Sequence, residues 1–115
     1  MGMYDLLLHV DRTDGDLGIA LGNAVHYATE LEKEAFRMVL VVNSRAVTEL
    51  TADNTAIAQP LEKAHHLGLG IRVCNNALQA AGISRAALFP QCTVVPSGIV
   101  ELVRLQGEGY AYVKP

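Results

Sequence analysis

Few side chains in this chain combine reactive chemistry with a suitable setting, and Cys74 leads them. It stands in Gly70-Ile71-Arg72-Val73-Cys74-Asn75-Asn76-Ala77-Leu78, where a short apolar strand pattern gives way to a helical one. A thiol there lies at the carboxyl end of a strand and over the first turn of a helix. Ligand sites of open α/β sheets gather at such strand ends. A helix N-terminus adds free N–H groups and a positive dipole end, which favour thiolate over thiol. The N–H groups of Asn75 and Asn76 are the ones expected to stabilise charge on sulfur, though both residues equally suit plain helix caps. Arg72 is read as alternating away from Cys74, its long side chain either a surface charge or a source of positive potential near the thiol.

The other strand ends supply polar company. In a parallel sheet every carboxyl end lies on one edge, which would collect His9 and Asp11, Asn43 and Ser44, Cys74 and Asn75, and Ser97. His9 faces this edge or is a core histidine bonded to backbone. Cys92 precedes its strand and belongs near the opposite edge. A five-residue strand spans roughly 16 Å, whereas a bridge needs Cα atoms within about 7 Å. Cys74 and Cys92 of one subunit are therefore not expected to pair, and Cys92 reads as apolar filler. His26 falls inside the first helix, at its surface or a subunit contact. His65 and His66 close the second helix, where a cation suits the dipole. Adjacent helical residues diverge by about 100°, so they chelate poorly. No zinc-ligand spacing is present, and neither a metal nor a cofactor is expected.

The elements that must position these residues follow from the apolar pattern. Residues 4–10 form a nearly continuous apolar run, as in a strand buried on both faces. Helical spacing covers residues 17–31, and a second β-rich run covers 36–42. Residues 46–50 are ambiguous between a turn and an edge element. Asp53, Asn54 and Thr55 offer N-caps for a helix over 56–67, which Gly68 ends. A third strand covers 69–73, a short helix 75–81 closes at Gly82, and residues 84–91 form a loop or helical turn. A fourth strand covers 93–95, Ser97 caps a helix reaching about residue 106, and a last strand covers 110–113. This β-α alternation predicts an α/β fold, a parallel sheet with helices on both faces. The chain of 115 residues reads as one domain, 1–115.

Composition narrows the function. Half the residues are apolar, the formal net charge is −3 and the pI about 5.7. No Lys/Arg run stands out, so nucleic acid is not an expected partner. No apolar stretch is long enough for a membrane span, and the opening residues lack the positive region of a signal peptide. The expected location is the cytoplasm, where two cysteines suggest free thiols or redox chemistry. Walker and Rossmann glycine patterns are absent. Asp11, Asp14 and Asp16 after the first strand would repel a flavin phosphate. A Cys-based phosphatase needs Arg where Ala80 stands, and Cys-x-x-Cys is missing. A lone strand-end thiol without an acid–base partner in sequence suits sulfur exchange, in which the attacking group is simply a thiolate.

Residues 70–83 around Cys74 resemble the DsrE/DsrF-like family. So do Thr93-Val94-Val95-Pro96-Ser97-Gly98-Ile99-Val100-Glu101-Leu102, the tail from Leu105 to Pro115, Leu7-Leu8-His9-Val10-Asp11 and Val41-Val42-Asn43-Ser44. The tail is similar to that of the small stand-alone branch. The resemblance implies a three-layer α/β/α sandwich on a mostly parallel five-stranded sheet, and assembly as a homo-oligomer, trimer or hexamer. It also implies that Cys74 carries sulfur as a persulfide between donor and acceptor proteins, as a carrier with one half-reaction in each direction. The candidate site is then Cys74 with His9, Asn43, Asn75, Asn76 and Ser97. Two other readings stay open: a small-molecule-binding protein, and a structural oligomer in which Cys74 is incidental. The wide apolar face of Ile99, Val100, Leu102, Val103 and Leu105 suits a subunit contact in any of them.

Overall fold

The structure is a computed structural model that describes residues 2–115; Met1, the first of the opening residues, lies outside them. Five strands alternate with helices: β1 (Leu6–Val10), α1 (Asp16–Glu30), β2 (Met38–Val42), a 3₁₀ helix (Ser44–Leu50), α2 (Thr55–His66), β3 (Leu69–Cys74), α3 (Asn75–Ala81), a 3₁₀ turn (Arg85–Ala87), β4 (Cys92–Val95), α4 (Gly98–Gly107) and β5 (Ala111–Val113). The ambiguous stretch at 46–50 is the 3₁₀ helix, which buries Ala46, Val47 and Leu50 instead of adding a strand. Gly68 and Gly82 follow α2 and α3 with left-handed φ of 112° and 70°, the role expected of both.

The sheet order is β4-β3-β2-β1-β5, and every pairing is parallel. β1 and β2 are buried along their whole length, which explains their continuous apolar sequence. Alternation divides the strands between two cores. Leu6, Leu8, Val10, Leu40, Val42, Ile71 and Val73 pack with residues of α1, α2, α3 and the first 3₁₀ helix. Leu7, Val39 and Val41 pack on the other face with Leu102 and Leu105 of α4 and with Tyr110.

The topology explains that division. Connections after β1, β2 and β3 step one way along the sheet and stay on one face. The chain then returns from β4 at one edge to β5 at the other. A right-handed crossover in the reverse direction must lie on the opposite face, and α4 provides it. The chain therefore leaves β3 toward one face and leaves its neighbour β4 toward the other. That divergence creates a crevice beyond the carboxyl ends of β3 and β4, the position where open α/β sheets bind ligands.

Two ion clusters hold the α4 side. Glu101 is buried, its carboxylate accepting from Arg72 Nη1 at 2.5 Å and from Arg104 Nε and Nη2, each at 2.9 Å. Asp5, 1% exposed, accepts from the Arg37 backbone N–H at 2.9 Å and its guanidinium at 2.5 and 3.0 Å. Arg37 in turn lies over the Tyr110 ring, 4.7 Å from its centre. These hydrogen bonds hold both carboxyls below the usual carboxylate range: Arg104 and then Arg72 act on Glu101, and Arg37 acts on Asp5.

Candidate functional site at the β3–β4 crevice

Cys74 is both the last residue of β3 and the N-cap of α3. It pairs with Val95, and its fractional exposure is 7%. Residues two apart on a strand share a face, so Cys74 points with Arg72 toward α4, while α3 departs toward the other core. This corrects the reading of Arg72 as an exposed charge turned away from the thiol. Its side chain is 28% exposed and is clamped by Glu101 beneath α4. The same geometry brings a second helix end to the thiol. The Cys74 side chain makes no cap hydrogen bond to α3. Instead it abuts the start of α4, where a Cβ on Gly98 would lie 3.2 Å from Cys74 Cβ.

A shallow depression of about 320 Å³ opens at this point, and Asn43, Cys74, Asn76, Ser97, Gly98 and Ile99 help to line it. Ser97 is the N-cap of α4, its side chain accepting from the Val100 N–H at 3.4 Å. Gly98 is buried and lets α4 approach: a Cβ there would also come within 2.9 Å of Asn43 Cβ. Ser44, beside Asn43, adopts a left-handed φ of 54° that turns the chain sharply off β2. Asn75 lies outside the depression, its Oδ1 accepting from Arg85 Nη2 at 3.3 Å.

His9 reaches the site through Asn43. It is buried, with Nε2 2.9 Å from Asn43 Oδ1 and Nδ1 2.7 Å from the Tyr112 hydroxyl. An amide oxygen only accepts, so Nε2–H donates to it, while the Tyr112 hydroxyl, able to donate or accept, meets Nδ1. A line of polar side chains thus crosses the α4 face of the sheet: Tyr112 on β5, His9 on β1, Asn43 after β2, Cys74 on β3. Tyr112 and Gly98 did not emerge from the sequence. The signal for Tyr112 was its two-residue spacing from Tyr110 in a strand, and Leu7 pairs with it in register. Gly98 beside a helix cap carried no distinctive local signal.

Asp11 separates from this group. It lies 3.0 Å from Lys114 Nζ, and Asp16 lies 3.7 Å from the same amine, so Lys114 partly neutralises the acidic turn. Cys92 also stands apart, since it pairs with Ile71 at the start of β4, three positions from the level of Cys74. Both thiols are free, and burial pushes the Cys92 thiol up to about 11. Among the described residues no three His, Cys, Asp or Glu side chains converge as metal ligands. Among the described residues no helix is long and apolar enough to cross a membrane. A larger cavity of about 500 Å³ lies on the α1 face, lined by Leu6, Leu8, His26, Tyr27, Leu31 and Val113, away from Cys74.

An all-parallel five-stranded α/β fold with a thiol at its strand-end crevice defines the class. The pattern of the DsrE/DsrF-like family matches residues 19–115, and the chain belongs to that family. Among solved structures it is similar to MTH1491 of Methanobacterium thermoautotrophicum, a protein of unknown function. That match has a TM-score of 0.88 and 28% identity over 97% of this chain and 99% of the other. It also shares its fold with BT1422 of Bacteroides thetaiotaomicron, a conserved protein of unknown function. There the TM-score is 0.76 and the identity 13%, over 96% of this chain and 94% of the other. No curated protein matches it.

Proposed function

We propose that this protein is a cytoplasmic sulfur carrier, a single domain over residues 1–115 that holds sulfane sulfur as a persulfide on Cys74. Membership of the DsrE/DsrF-like family supports a role related to sulfur relay. The observation that carries the finer reading is the placement of Cys74 at the crevice where the chain leaves β3 and β4 toward opposite faces, beside Asn43 and the α4 N-terminus. Cys74 thiolate attacks the outer sulfur of a donor persulfide. The donor S–S bond breaks, the donor leaves as thiolate, and Cys74 becomes Cys74-S-SH. An acceptor thiolate then attacks that outer sulfur and Cys74 leaves as thiolate. Each step exchanges one S–S bond for another, so no outside oxidant or reductant is needed. Asn43, Asn76 and Ser97 line the depression with Cys74, and His9 acts through Asn43; Asn75, its side chain tied to Arg85, contributes through its backbone.

The protein works as a homo-oligomer in this reading. Ile99, Val100 and Val103 project from α4 with 63%, 63% and 66% exposure beside the depression, an apolar stripe of the kind that subunit contacts cover. The test of the carrier is intact-mass analysis after incubation with a low-molecular-weight persulfide. Wild type and Cys92→Ser should gain about 32 Da, reversible by reductant, and Cys74→Ser should gain nothing. Loading of folded Cys74→Ser would overturn the assignment. No loading of wild type would favour a binding or structural protein.

A further inference from the structure

We propose that the sulfur donor of Cys74 is the persulfide of a short, carboxylate-bearing cysteinyl peptide, seated in a groove that leads from the thiol to Arg45. The inference rests on Cys74 being the reacting group of the proposed carrier. The depression at Cys74 does not end at Ser44 and Ala77. Both residues also line a second depression, of about 380 Å³, together with Arg45, Thr48, Ala80 and Ala81. Its two walls follow from helix geometry. Residues three apart eclipse on a 3₁₀ helix, so Arg45 and Thr48 share one face of the segment after β2. Residues three and four apart share a face of an α-helix, so Ala77, Ala80 and Ala81 form the facing wall on α3. From Ala77 to Ala81 that wall rises roughly 6 Å, about the length of two residues of extended peptide. Both volumes fall in the range of roughly 300–1,000 Å³ that small-ligand sites occupy. A groove so short holds a small peptide, not a protein segment.

The lining sets the charge of the ligand. The chain has 12 acidic residues and a net charge of −3, yet among the described residues no carboxylate lines either depression. Arg45 is their one charged lining residue, and it is exposed. The ion pairs among the described residues engage Arg37, Arg72, Arg104 and Lys114, and Arg45 enters none of them. A guanidinium without a protein partner matches a ligand carboxylate in charge and in fork geometry. With its persulfide at Cys74, the peptide runs past Ser44 and Ala77 and brings its carboxylate to Arg45. Cys74 thiolate takes the outer sulfur, the donor S–S bond breaks, and the peptide leaves as its thiolate.

Two reactions in a Cys92→Ser background test this. The first is loading of Cys74 by glutathione persulfide and by the persulfide of glutathione diester, which keeps the skeleton and loses the carboxylate charges. Each rate is divided by the rate of the same donor with a free small thiol. The acid should load about threefold to tenfold faster than the ester. Arg45→Gln should bring that ratio to about one while the ester rate holds, and so should Ala80→Glu, which sets a carboxylate in the same groove. The second reaction is thiol–disulfide exchange of Cys74 with glutathione disulfide and with its ester, which needs no persulfide. The same preference, and the same loss in Arg45→Gln, are expected. A ratio that Arg45→Gln leaves in place, or acid and ester rates that fall together, would overturn the proposal. Selective exchange without persulfide loading retains the groove and removes the carrier. Loading without selectivity does the reverse, and a Cys74 inert to every probe removes both.

Discussion

Replacing Gly98 by alanine should loosen the junction between α4, Asn43 and Cys74. The new methyl carbon would lie 2.9 Å from Asn43 Cβ and 3.2 Å from Cys74 Cβ. Carbon atoms make their best contacts at about 3.5–4.0 Å, so the overlap is about 0.6 Å or more at Asn43 and about 0.3 Å or more at Cys74. Neither neighbour is the far end of a flexible chain. Both are first side-chain atoms on held backbone, Cys74 ending β3 and Asn43 directly after β2 with its N–H bonded to Val10 O, so α4 itself must lift. Overpacking of this kind costs about 1–3 kcal/mol. Alanine returns less than the roughly 1 kcal/mol helix preference it shows over glycine in a helix interior, because Gly98 is the first helical residue. The net loss is about 1–2 kcal/mol, or roughly 4–10 °C in Tm for a chain of this size. Gly22→Ala is the control: Gly22 sits inside α1 with open space at its Cβ position, and its Tm should hold or rise. Thermal unfolding reads stability, and alkylation of Cys74 in the folded protein reads the site, where lifting α4 should speed the reaction. A Gly98→Ala protein as stable as wild type, with unchanged Cys74 reactivity, would refute the packing account.

Three further outcomes follow from the buried groups. Glu101→Ala leaves Arg72 without its partner and should cost about 1–2 kcal/mol, below the loss for a fully buried pair because Arg72 and Arg104 reach solvent; urea unfolding measures it. Asp5 and Glu101 titrate below their unfolded values, so their contribution is complete above about pH 4.5 and disappears as pH falls through the folded values. Acid unfolding should therefore set in below about pH 4.5, later in Glu101→Gln relative to its own neutral stability. Cys92, pushed up to about 11, should resist alkylation at pH 8 until urea exposes it, and its linkage should lower stability as pH rises from about 9 to about 11. On the proposed homo-oligomer, wild type should sediment as an assembly and Val103→Glu as a folded monomer; an assembled wild type unchanged by the substitution would move the interface off α4, and a monomeric wild type would remove it.

Much of the fold was legible because the patterns were strong. The apolar run of β1, the capping Ser97 and the closing Gly82 each marked an element within a residue or two. The 3₁₀ helix after β2 was not, since Ala46, Val47 and Leu50 fit a short strand as well as a tight turn. The candidate site was legible as a set of strand ends and the helix start that follows one of them. Cys74, Asn43, Asn76 and Ser97 share one depression, with His9 linked through Asn43. What escaped was the face of each residue. That depends on the direction of each crossover, a tertiary property. Only once α4 is known to return across the sheet does Arg72 become Glu101's partner and the α4 end join that of α3 beside the thiol. The Tyr112–His9 contact joins residues 103 positions apart, beyond any local pattern.

The most direct test of the central claim locates the sulfur atom itself. Cleavage after Arg72, Arg85 and Arg104 yields one peptide, 73–85, holding Cys74 and another, 86–104, holding Cys92. Protein exposed to a persulfide donor, capped with an alkylating agent and digested should carry the extra sulfur, about 32 Da, on 73–85 alone. Sulfur on 86–104, or on neither peptide while control thiols load fully, would contradict the assignment of Cys74 as the carrier.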